Sequence, residues 1–117
     1  MNSTKGNLPV IDRIWGLEEM ILGERTFKSE KGSFTLYLEV DGHARMKVDC
    51  NRAHGSYRLR NNSLSFGPLA MTMAYCGDGS LHDQFLQLIE ATHSYEVKDD
   101  RLILISLDGR LIFSPLG

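Results

Sequence analysis

The sequence predicts a mainly β fold of the α+β class, in which an antiparallel β-meander curls into a barrel-like sheet with one inserted helix. Apolar and polar residues alternate over much of the chain, which is the pattern of half-buried strands. Short turn sequences separate the alternating segments, and such turns make consecutive strands antiparallel neighbours. One segment, residues 80–92, has helical periodicity instead. Curling and closing the sheet is an economical way to bury this many strands.

The chain has the size and composition of one globular domain. Its 117 residues fit a single core, and 42% of them are hydrophobic and 24% charged. The first residues are mostly small and polar. We therefore interpret residues 1–9 as a flexible tether and residues 10–117 as the domain.

Charge and hydropathy argue against two classes of protein. The net charge is −2, and the chain lacks the clustered Lys and Arg residues with which proteins neutralise nucleic-acid phosphates. No apolar stretch approaches the roughly 20 residues that a membrane-spanning helix needs. We expect neither a nucleic-acid partner nor a transmembrane segment.

The first clear hairpin lies within residues 34–49. Every second residue of 34–40 is apolar, and alternation resumes after the turn, with Ala44, Met46 and Val48 on one face. Asp41-Gly42 between the two segments is a strong hairpin signal, since a type I′ turn requires positive φ at both central positions. The hairpin should have an apolar inner face, and Cys50 continues the inward series.

A second hairpin is predicted within residues 56–66. Residues 56–60 and 63–66 flank Asn61-Asn62, and asparagine tolerates the left-handed conformation of a tight turn better than most residues. An earlier strand contains Trp15. These segments account for the first part of the sheet.

The C-terminal region contains two more strand-turn-strand units. Asp99-Asp100 and Asp108-Gly109 have turn composition and separate three segments of strand character. These segments are residues 95–98, 102–107 and 110–113. We predict seven or eight strands in total.

The predicted helix over residues 80–92 covers part of the sheet. Its apolar residues follow the i, i+4, i+7, i+8 spacing of an amphipathic helix, at Leu81, Phe85, Leu88 and Ile89. Ser80 is placed to cap backbone N–H groups at its start, and Asp83 to favour the positive end of the helix dipole.

Several short motifs occur in an order that resembles the META domain, or HslJ-like, family. In chain order they are Trp15-Gly16-Leu17, Cys50-Asn51 with Gly55 and Tyr57, Thr72-Met73-Ala74 with Cys76, and a closing hairpin of Leu102, Asp108-Gly109 and Leu111–Phe113. Two positions depart from the family pattern: Asp49 stands where a glycine is expected, and His54 where an apolar or aromatic residue is usual. The resemblance covers nearly the whole chain from about residue 10.

The resemblance implies a class of function and not a reaction. The family is linked to heat shock, to novobiocin tolerance in bacteria and to virulence in some parasites, and many members are lipoproteins. We therefore expect a non-enzymatic, monomeric, stress- or envelope-associated protein that uses no cofactor and has an unknown protein or small-molecule partner. A lipid anchor in the native precursor would place it in the cell envelope, whereas a native start at Met1 would place it in the cytoplasm.

The alternative function is that of a small apolar ligand carrier, or of a protein-binding module that uses the barrel. A compact antiparallel barrel can enclose one apolar molecule. Large side chains pointing inward would fill that interior and exclude the carrier; the candidates are Trp15, Phe34, Phe66 and Met73.

Cys50 and Cys76 allow two interpretations. Both can reach one corner of the sheet, where a disulfide would close a loop of about 27 residues and stabilise the fold by about 3 to 3.5 kcal/mol in an oxidising compartment. In the cytoplasm they would instead be reduced, buried and inert. A zinc site that adds His54 and His82 is disfavoured, because an extended strand places His54 about 13 Å from Cys50. We predict no metal site.

The candidate binding residues are Asn51, Arg52 and His54. They share the bend that follows Cys50, and Asn51 is unusual as a polar residue beside one expected to be buried. Its amide either bonds backbone groups at the bend or contacts a ligand. No nucleophile and base occur in a known catalytic pattern, so we predict no catalytic residue.

Overall fold

The computed structural model describes residues 10–116, so the predicted tether of residues 1–9 lies outside the described residues. Within that range it contains a nine-stranded antiparallel sheet and a single helix, α1 (His82–Ala91). The strands are β1 (Ile14–Leu22), β2 (Arg25–Lys28), β3 (Phe34–Leu38), β4 (His43–Val48), β5 (Asn51–Arg60), β6 (Ser63–Met71), β7 (Ser94–Lys98), β8 (Arg101–Ile105) and β9 (Gly109–Pro115). The mainly β fold with one inserted helix is confirmed.

The sheet closes into a ring because its first long strand pairs with its last. The strand order is β2-β1-β3-β4-β5-β6-β7-β8-β9, and β1 also pairs with β9, from Trp15 opposite Pro115 to Leu22 opposite Gly109. β2 lies outside the ring as an extension of β1. Between β6 and β7 the ring is held by a single residue pair, Ser63 and Ser94. The expected seven or eight strands are corrected to nine, since β2 is too short and too exposed to show a period-2 pattern.

The core lies inside the ring, and α1 packs onto it. Along β3 the buried side chains of Phe34, Leu36 and Leu38 alternate with partly exposed ones, as predicted. The ring of Phe85 on α1 lies 4.8 Å from that of Phe34 and 6.4 Å from that of Phe113. Each such side chain contributes about 1.5 to 3 kcal/mol when it is fully buried. Phe85 on the apolar stripe of the helix therefore packs against both β3 and β9.

The predicted turns are in place: Asn61 has the expected left-handed conformation, with φ 56°, but the turn at Asp41-Gly42 differs from expectation. At Asp41-Gly42 only Gly42 has positive φ (95°), and its N–H donates to the carbonyl of Glu39 at 3.1 Å. The turn is therefore not of type I′. At Asp99-Asp100 both residues have positive φ, 53° and 63°.

Gly109 is required because two strands approach closely there, and not because a turn needs positive φ. Its φ is not in the left-handed region, but a Cβ atom built there would lie 1.8 Å from the carbonyl oxygen of Ile21. The glycine permits β9 to approach β1 closely. The ring therefore closes at a position where no side chain fits.

The predicted inward position of Cys50 is wrong. Asp49 adopts φ 58°, and Asp49 and Cys50 form the turn between β4 and β5. This turn shifts the alternation by one residue, so Cys50 is exposed and Asn51 takes the inward position. Cys76 lies beyond the end of β6 in an irregular segment and not at a strand end as expected.

Of the side chains expected to fill the interior, Met73 lies outside it and Phe66 packs against the core only in part. Met73 belongs to the irregular segment after β6 and is 80% exposed. Phe66 is only half-buried, whereas Trp15 and Phe34 are buried as predicted. The interior is filled instead by these two residues together with Phe85 and Phe113.

Candidate functional site

A groove of about 730 Å³ crosses the outer face of the sheet. It extends over β1, β3, β4, β5 and β6, and most of its lining comes from side chains that point away from the core. On β4, Arg45 and Lys47 alternate with buried apolar residues and so lie on this face. On β5, Arg52 and His54 do the same. Two of the three predicted binding residues therefore line the groove.

Strand register arranges these side chains in two rows across the strands. In the first row Lys47 lies directly opposite Thr35 on β3 and directly opposite Arg52 on β5. Facing residues of antiparallel strands have Cβ atoms about 4.5 to 5.5 Å apart. Lys47 and Arg52 are therefore neighbouring cations on the same face of the sheet.

The second row runs parallel to the first. Arg45 lies opposite Tyr37 on β3 and opposite His54 on β5, and the row ends at Ile14 on β1 and Ala70 on β6. Its two ends are apolar and its centre is polar. The groove thus presents cations in the middle and aliphatic surface towards its ends.

The cations of the groove differ in their partners. The Arg45 Nε donates to Glu39 Oε2 at 2.7 Å, and this contact raises the pKa of Arg45. Lys47 and Arg52 take part in none of the ion pairs formed within residues 10–116. Like charges that face each other across a strand pair destabilise it, so the row holds an uncompensated repulsion.

Tyr37 and His54 add further polar groups to the groove. The hydroxyl of Tyr37 donates to Asp12 Oδ1 at 3.3 Å. Loss of solvent, followed by the negative charge of Asp12, raises the pKa of Tyr37, so the hydroxyl stays protonated at neutral pH. The ring of His54 lies 5.3 Å from that of His43, which extends the polar surface along β4 and β5.

Asn51, the third predicted binding residue, lies on the opposite face and is fully buried. Its Nδ2 donates to the carbonyl of Ala74 at 3.0 Å and to Cys76 Sγ at 3.3 Å. Its Oδ1 accepts from the Ala74 N–H at 2.7 Å and from Thr72 Oγ1 at 2.8 Å. The amide therefore replaces the strand pairing that the irregular segment lacks, and it holds that segment to the start of β5.

The disulfide between Cys50 and Cys76 joins the same two segments, with Cα atoms 5.5 Å apart. The Cys50 N–H also donates to Cys76 Sγ at 3.2 Å. Neither sulfur is a thiolate, so neither acts as a nucleophile or as a zinc ligand in this state. No group of three or more potential metal ligands occurs within residues 10–116.

A second, smaller pocket of about 300 Å³ lies beside the irregular segment and the start of α1. Ser80 Oγ donates to Asp49 Oδ2 at 2.6 Å and accepts from the His82 N–H at 3.2 Å. Ser80 thus ties the β4–β5 turn to the helix start, although Leu81 is the N-cap residue and has no side-chain cap. The polar side chain of Ser80 in this pocket therefore has a structural role.

Sequence reasoning missed Arg45 and Lys47 as members of the site. Their alternation with apolar residues on β4 places them on the outer face, and that signal was available in the sequence. Only the register between β4 and β5, however, brings them against Arg52 and His54.

Comparison with known families identifies one match over most of the chain. The sequence model of the META domain family matches residues 8–115. No curated protein matches significantly. Within residues 10–116 no helix is long and apolar enough to cross a bilayer.

Solved structures share the fold. A protein from Burkholderia xenovorans, studied by NMR, is 26% identical, with a TM-score of 0.77 over 97% of this chain and 88% of the other. A second NMR structure is 17% identical, with a TM-score of 0.70 over 97% and 94% of the two chains. A DUF4847 family protein from Bacteroides vulgatus is 10% identical, with a TM-score of 0.69 over 92% and 95%. The last two similarities concern the fold alone.

Proposed function

Since the chain belongs to the META domain family, we propose that it is a non-enzymatic, stress-associated binding protein of the cell envelope whose site is the outer groove over β1 and β3 to β6. The observation that carries the proposal is the groove itself, about 730 Å³ in volume and lined by cations at its centre. Ligand sites are concave surfaces in which a few polar groups orient a ligand against apolar walls. The groove has this composition.

The polar groups of the groove favour binding over catalysis. Nucleophilic catalysis needs a nucleophile and a base within hydrogen-bond distance of each other. The nearest neighbours of His54 across the strands are instead Arg45 and Ala70. A site made of Arg45, Lys47 and Arg52 supplies positive charge and hydrogen-bond donors, which are suited to holding a ligand.

The packed interior disfavours the alternative of an apolar ligand carrier. Trp15, Phe85 and Phe113 are fully buried inside the ring, and the indole N–H of Trp15 donates to the carbonyl of Val10 at 3.0 Å. A ligand inside the ring would have to displace these side chains. We therefore assign binding to the outer face.

The proposed envelope location is supported by the exposed disulfide. Disulfides persist in oxidising compartments and are rare in the cytosol. Stress association and a lipid-anchored precursor follow from the family resemblance. The test is fractionation of native cells, followed by thiol counting and intact-mass measurement of the unreduced protein. We expect an envelope fraction without free thiols; two free thiols in a cytoplasmic fraction would contradict the location.

The binding role is tested by NMR with a library of small-molecule fragments. We expect hits to shift the backbone amides of the groove, such as those of Thr35, Lys47 and Arg52. The variant Ala70→Trp, which places a large side chain in the groove, should lose these hits. Val40→Trp is the matched control, because Val40 is exposed and lies outside the groove. Hits that fall elsewhere, or that survive in Ala70→Trp, would refute the assignment of the groove.

A further inference from the structure

We propose that the ligand of the outer groove is an amphipathic small anion, whose acidic group is held between Lys47 and Arg52. The acidic group is a carboxylate, sulfonate or phosphate, and the rest of the ligand is an apolar body that lies along the groove. This inference rests on the proposed binding function and adds the chemical class of the ligand.

The two cations occupy directly facing positions, which are unfavourable for like charges. Lys47 and Arg52 face each other across β4 and β5 on the outer surface. Oppositely charged or neutral pairs are favoured at directly facing positions, and like-charged pairs are disfavoured. A pair that opposes folding in this way is explained if an anion occupies the space between the two side chains.

Among the described residues, no carboxylate forms an ion pair with Lys47 or Arg52. Three of the other outward cations, Lys28, Arg45 and Arg101, have a carboxylate partner, at 3.0, 2.7 and 2.9 Å. Lys47 and Arg52 have none within residues 10–116. An exogenous anion can therefore take the place of the missing carboxylate.

A second pair of facing cations in the same sheet does have a carboxylate partner. Lys98 and Arg101 are also directly opposed cations, on β7 and β8. There the Arg101 Nε donates to Glu18 Oε1 at 2.9 Å, and this bond is the main reason why the pKa of Glu18 is lowered. The fold thus supplies a carboxylate at one such pair and not at the other. The pair that lacks it is the one in the groove.

The chemistry of the two side chains defines the acidic group. The guanidinium of Arg52 presents parallel N–H donors that match two oxygens of an oxyanion, and the Lys47 ammonium is a compact point charge. An anion with two or three oxygens can bond both at once. Because the chain as a whole has a net charge of −2, the positive groove is a local feature and not a property of the whole surface.

The ends of the groove define the rest of the ligand. At the β1 end Ile14 is 50% exposed, and at the β6 end Ala70 and Met71 line the wall. These aliphatic surfaces lie on either side of the central cations. A ligand that fills the groove therefore combines an acidic group with apolar surface.

Two matched probes test the inference: 1-anilinonaphthalene-8-sulfonate, and N-phenyl-1-naphthylamine, which has the same aromatic body without the sulfonate. Affinities are measured by fluorescence, and backbone amide shifts locate the bound probe. We expect the sulfonate probe to bind at least about tenfold more tightly, since a charge-assisted hydrogen bond adds roughly this much. Its affinity should also fall as ionic strength rises.

Three variants separate the possible outcomes. Lys47→Gln/Arg52→Gln should remove the preference for the sulfonate probe, and Lys47→Glu should remove it too by supplying an internal carboxylate to Arg52. Arg60→Gln/Arg110→Gln makes the same change in net charge on exposed residues outside the groove and should preserve the preference. Circular dichroism confirms that each variant is folded.

The experiments test separately whether the ligand carries an acidic group and whether the groove binds a ligand at all. Equal binding of both probes in the groove would refute the acidic group and leave the binding role intact. Amide shifts confined to other surfaces, for both probes, would contradict the binding role itself. A sulfonate preference that persists in Lys47→Gln/Arg52→Gln would overturn the assignment of these two residues.

Discussion

Asn51 shows how one buried amide can replace a missing stretch of β-ladder. Each of its two polar atoms contacts two partners in the segment that follows β6. An unsatisfied buried hydrogen-bonding group costs about 1 to 3 kcal/mol, so the contribution of Asn51 depends on the partners it would leave behind. These contacts position the segment after β6 against the start of β5.

Replacing Asn51 should destabilise the protein strongly. We expect Asn51→Ala to lower the free energy of unfolding by about 2 to 4 kcal/mol, because Ala74 and Thr72 lose buried partners. Urea denaturation measures the change, and hydrogen exchange at the Ala74 amide locates it. Asn62→Ala, at an exposed turn position, is the control and should change stability by less than about 0.5 kcal/mol. Equal effects of the two substitutions would contradict this role.

Replacing Lys47 should have the opposite effect and stabilise the protein, because Lys47 faces another cation, Arg52, across the strand pair. At low ionic strength Lys47→Gln should stabilise the protein by a few tenths of a kcal/mol, and Lys47→Glu by about 1 kcal/mol, since an opposite-charge pair with Arg52 replaces a like-charge pair. Urea denaturation at low and high salt is the measurement. The gain should shrink as salt screens the pair. A loss of stability in Lys47→Glu would show that Lys47 has a favourable partner in the fold.

At the scale of elements, the β5–β6 hairpin is fastened at its open end by the disulfide. The bridge closes the loop from Cys50 to Cys76, with a sequence separation of 26. We expect Cys50→Ser/Cys76→Ser to lose about 3.5 kcal/mol of stability by the chain-entropy relation. The measurement is urea denaturation with and without reductant, and reduced wild type should match the double variant. Identical stability of oxidised and reduced wild type would be the contrary result.

The β1–β9 pairing depends on the absence of a side chain at Gly109. We expect Gly109→Ala to cost about 3 kcal/mol or more, because its Cβ would lie 1.8 Å from the Ile21 carbonyl oxygen and the two strands would have to separate. Gly79→Ala is the matched control, since a Cβ there has no neighbouring atom within 4 Å. Thermal denaturation compares the two variants. Similar melting temperatures would mean that the strands separate at little cost.

Local patterns in the sequence predict the elements well where the alternation is unbroken. The β3–β4 hairpin and α1 lie where periodicity places them, with the helix found at His82–Ala91 against a predicted 80–92. The alternation fails at Asp49, whose positive φ inserts a turn and moves Cys50 from the inner face to the surface. Such a shift depends on one backbone conformation that the residue type allows but does not require.

The candidate site is less predictable than the elements because it is built across strands. Proximity to Cys50 in the sequence predicts one binding cluster of Asn51, Arg52 and His54. Arg52 and His54 lie in the groove because β5 pairs with β4 in one register. Asn51 lies on the opposite face and is buried. A shift of one residue in a strand reverses the face of every side chain, so proximity in sequence does not define a site.

At the scale of the whole molecule, two buried tyrosines link stability to pH. The hydroxyl of Tyr57 donates to the Glu39 carbonyl at 2.5 Å, and that of Tyr95 to the Asn61 carbonyl at 2.9 Å. Burial raises the pKa of both, and nearby carboxylates raise that of Tyr57 further. Because the folded state holds these protons more tightly than the unfolded state does, stability is complete below the ordinary tyrosine value of about 10 and falls as pH rises above it.

Alkaline denaturation tests this linkage. We expect the urea midpoint of the wild-type protein to be constant from about pH 8 to 9.5 and to fall above about pH 10. Tyr57→Phe/Tyr95→Phe should be less stable at neutral pH, because each hydroxyl donates a hydrogen bond, but should lose less stability as pH rises. Parallel pH profiles for the two proteins would show that other groups cause the alkaline loss.

The pairing of β1 with β9 also governs when the protein can finish folding. Trp15 and Pro115 face each other although they lie about 100 residues apart in the chain. During synthesis β1 can pair with β2 and β3, and the hairpins from β3 to β6 can form as they emerge, but the other edge of β1 has no partner until β9 has left the ribosome. The nascent chain therefore carries an open sheet edge for nearly its whole translation, and closure of that edge is expected to be a late and slow step.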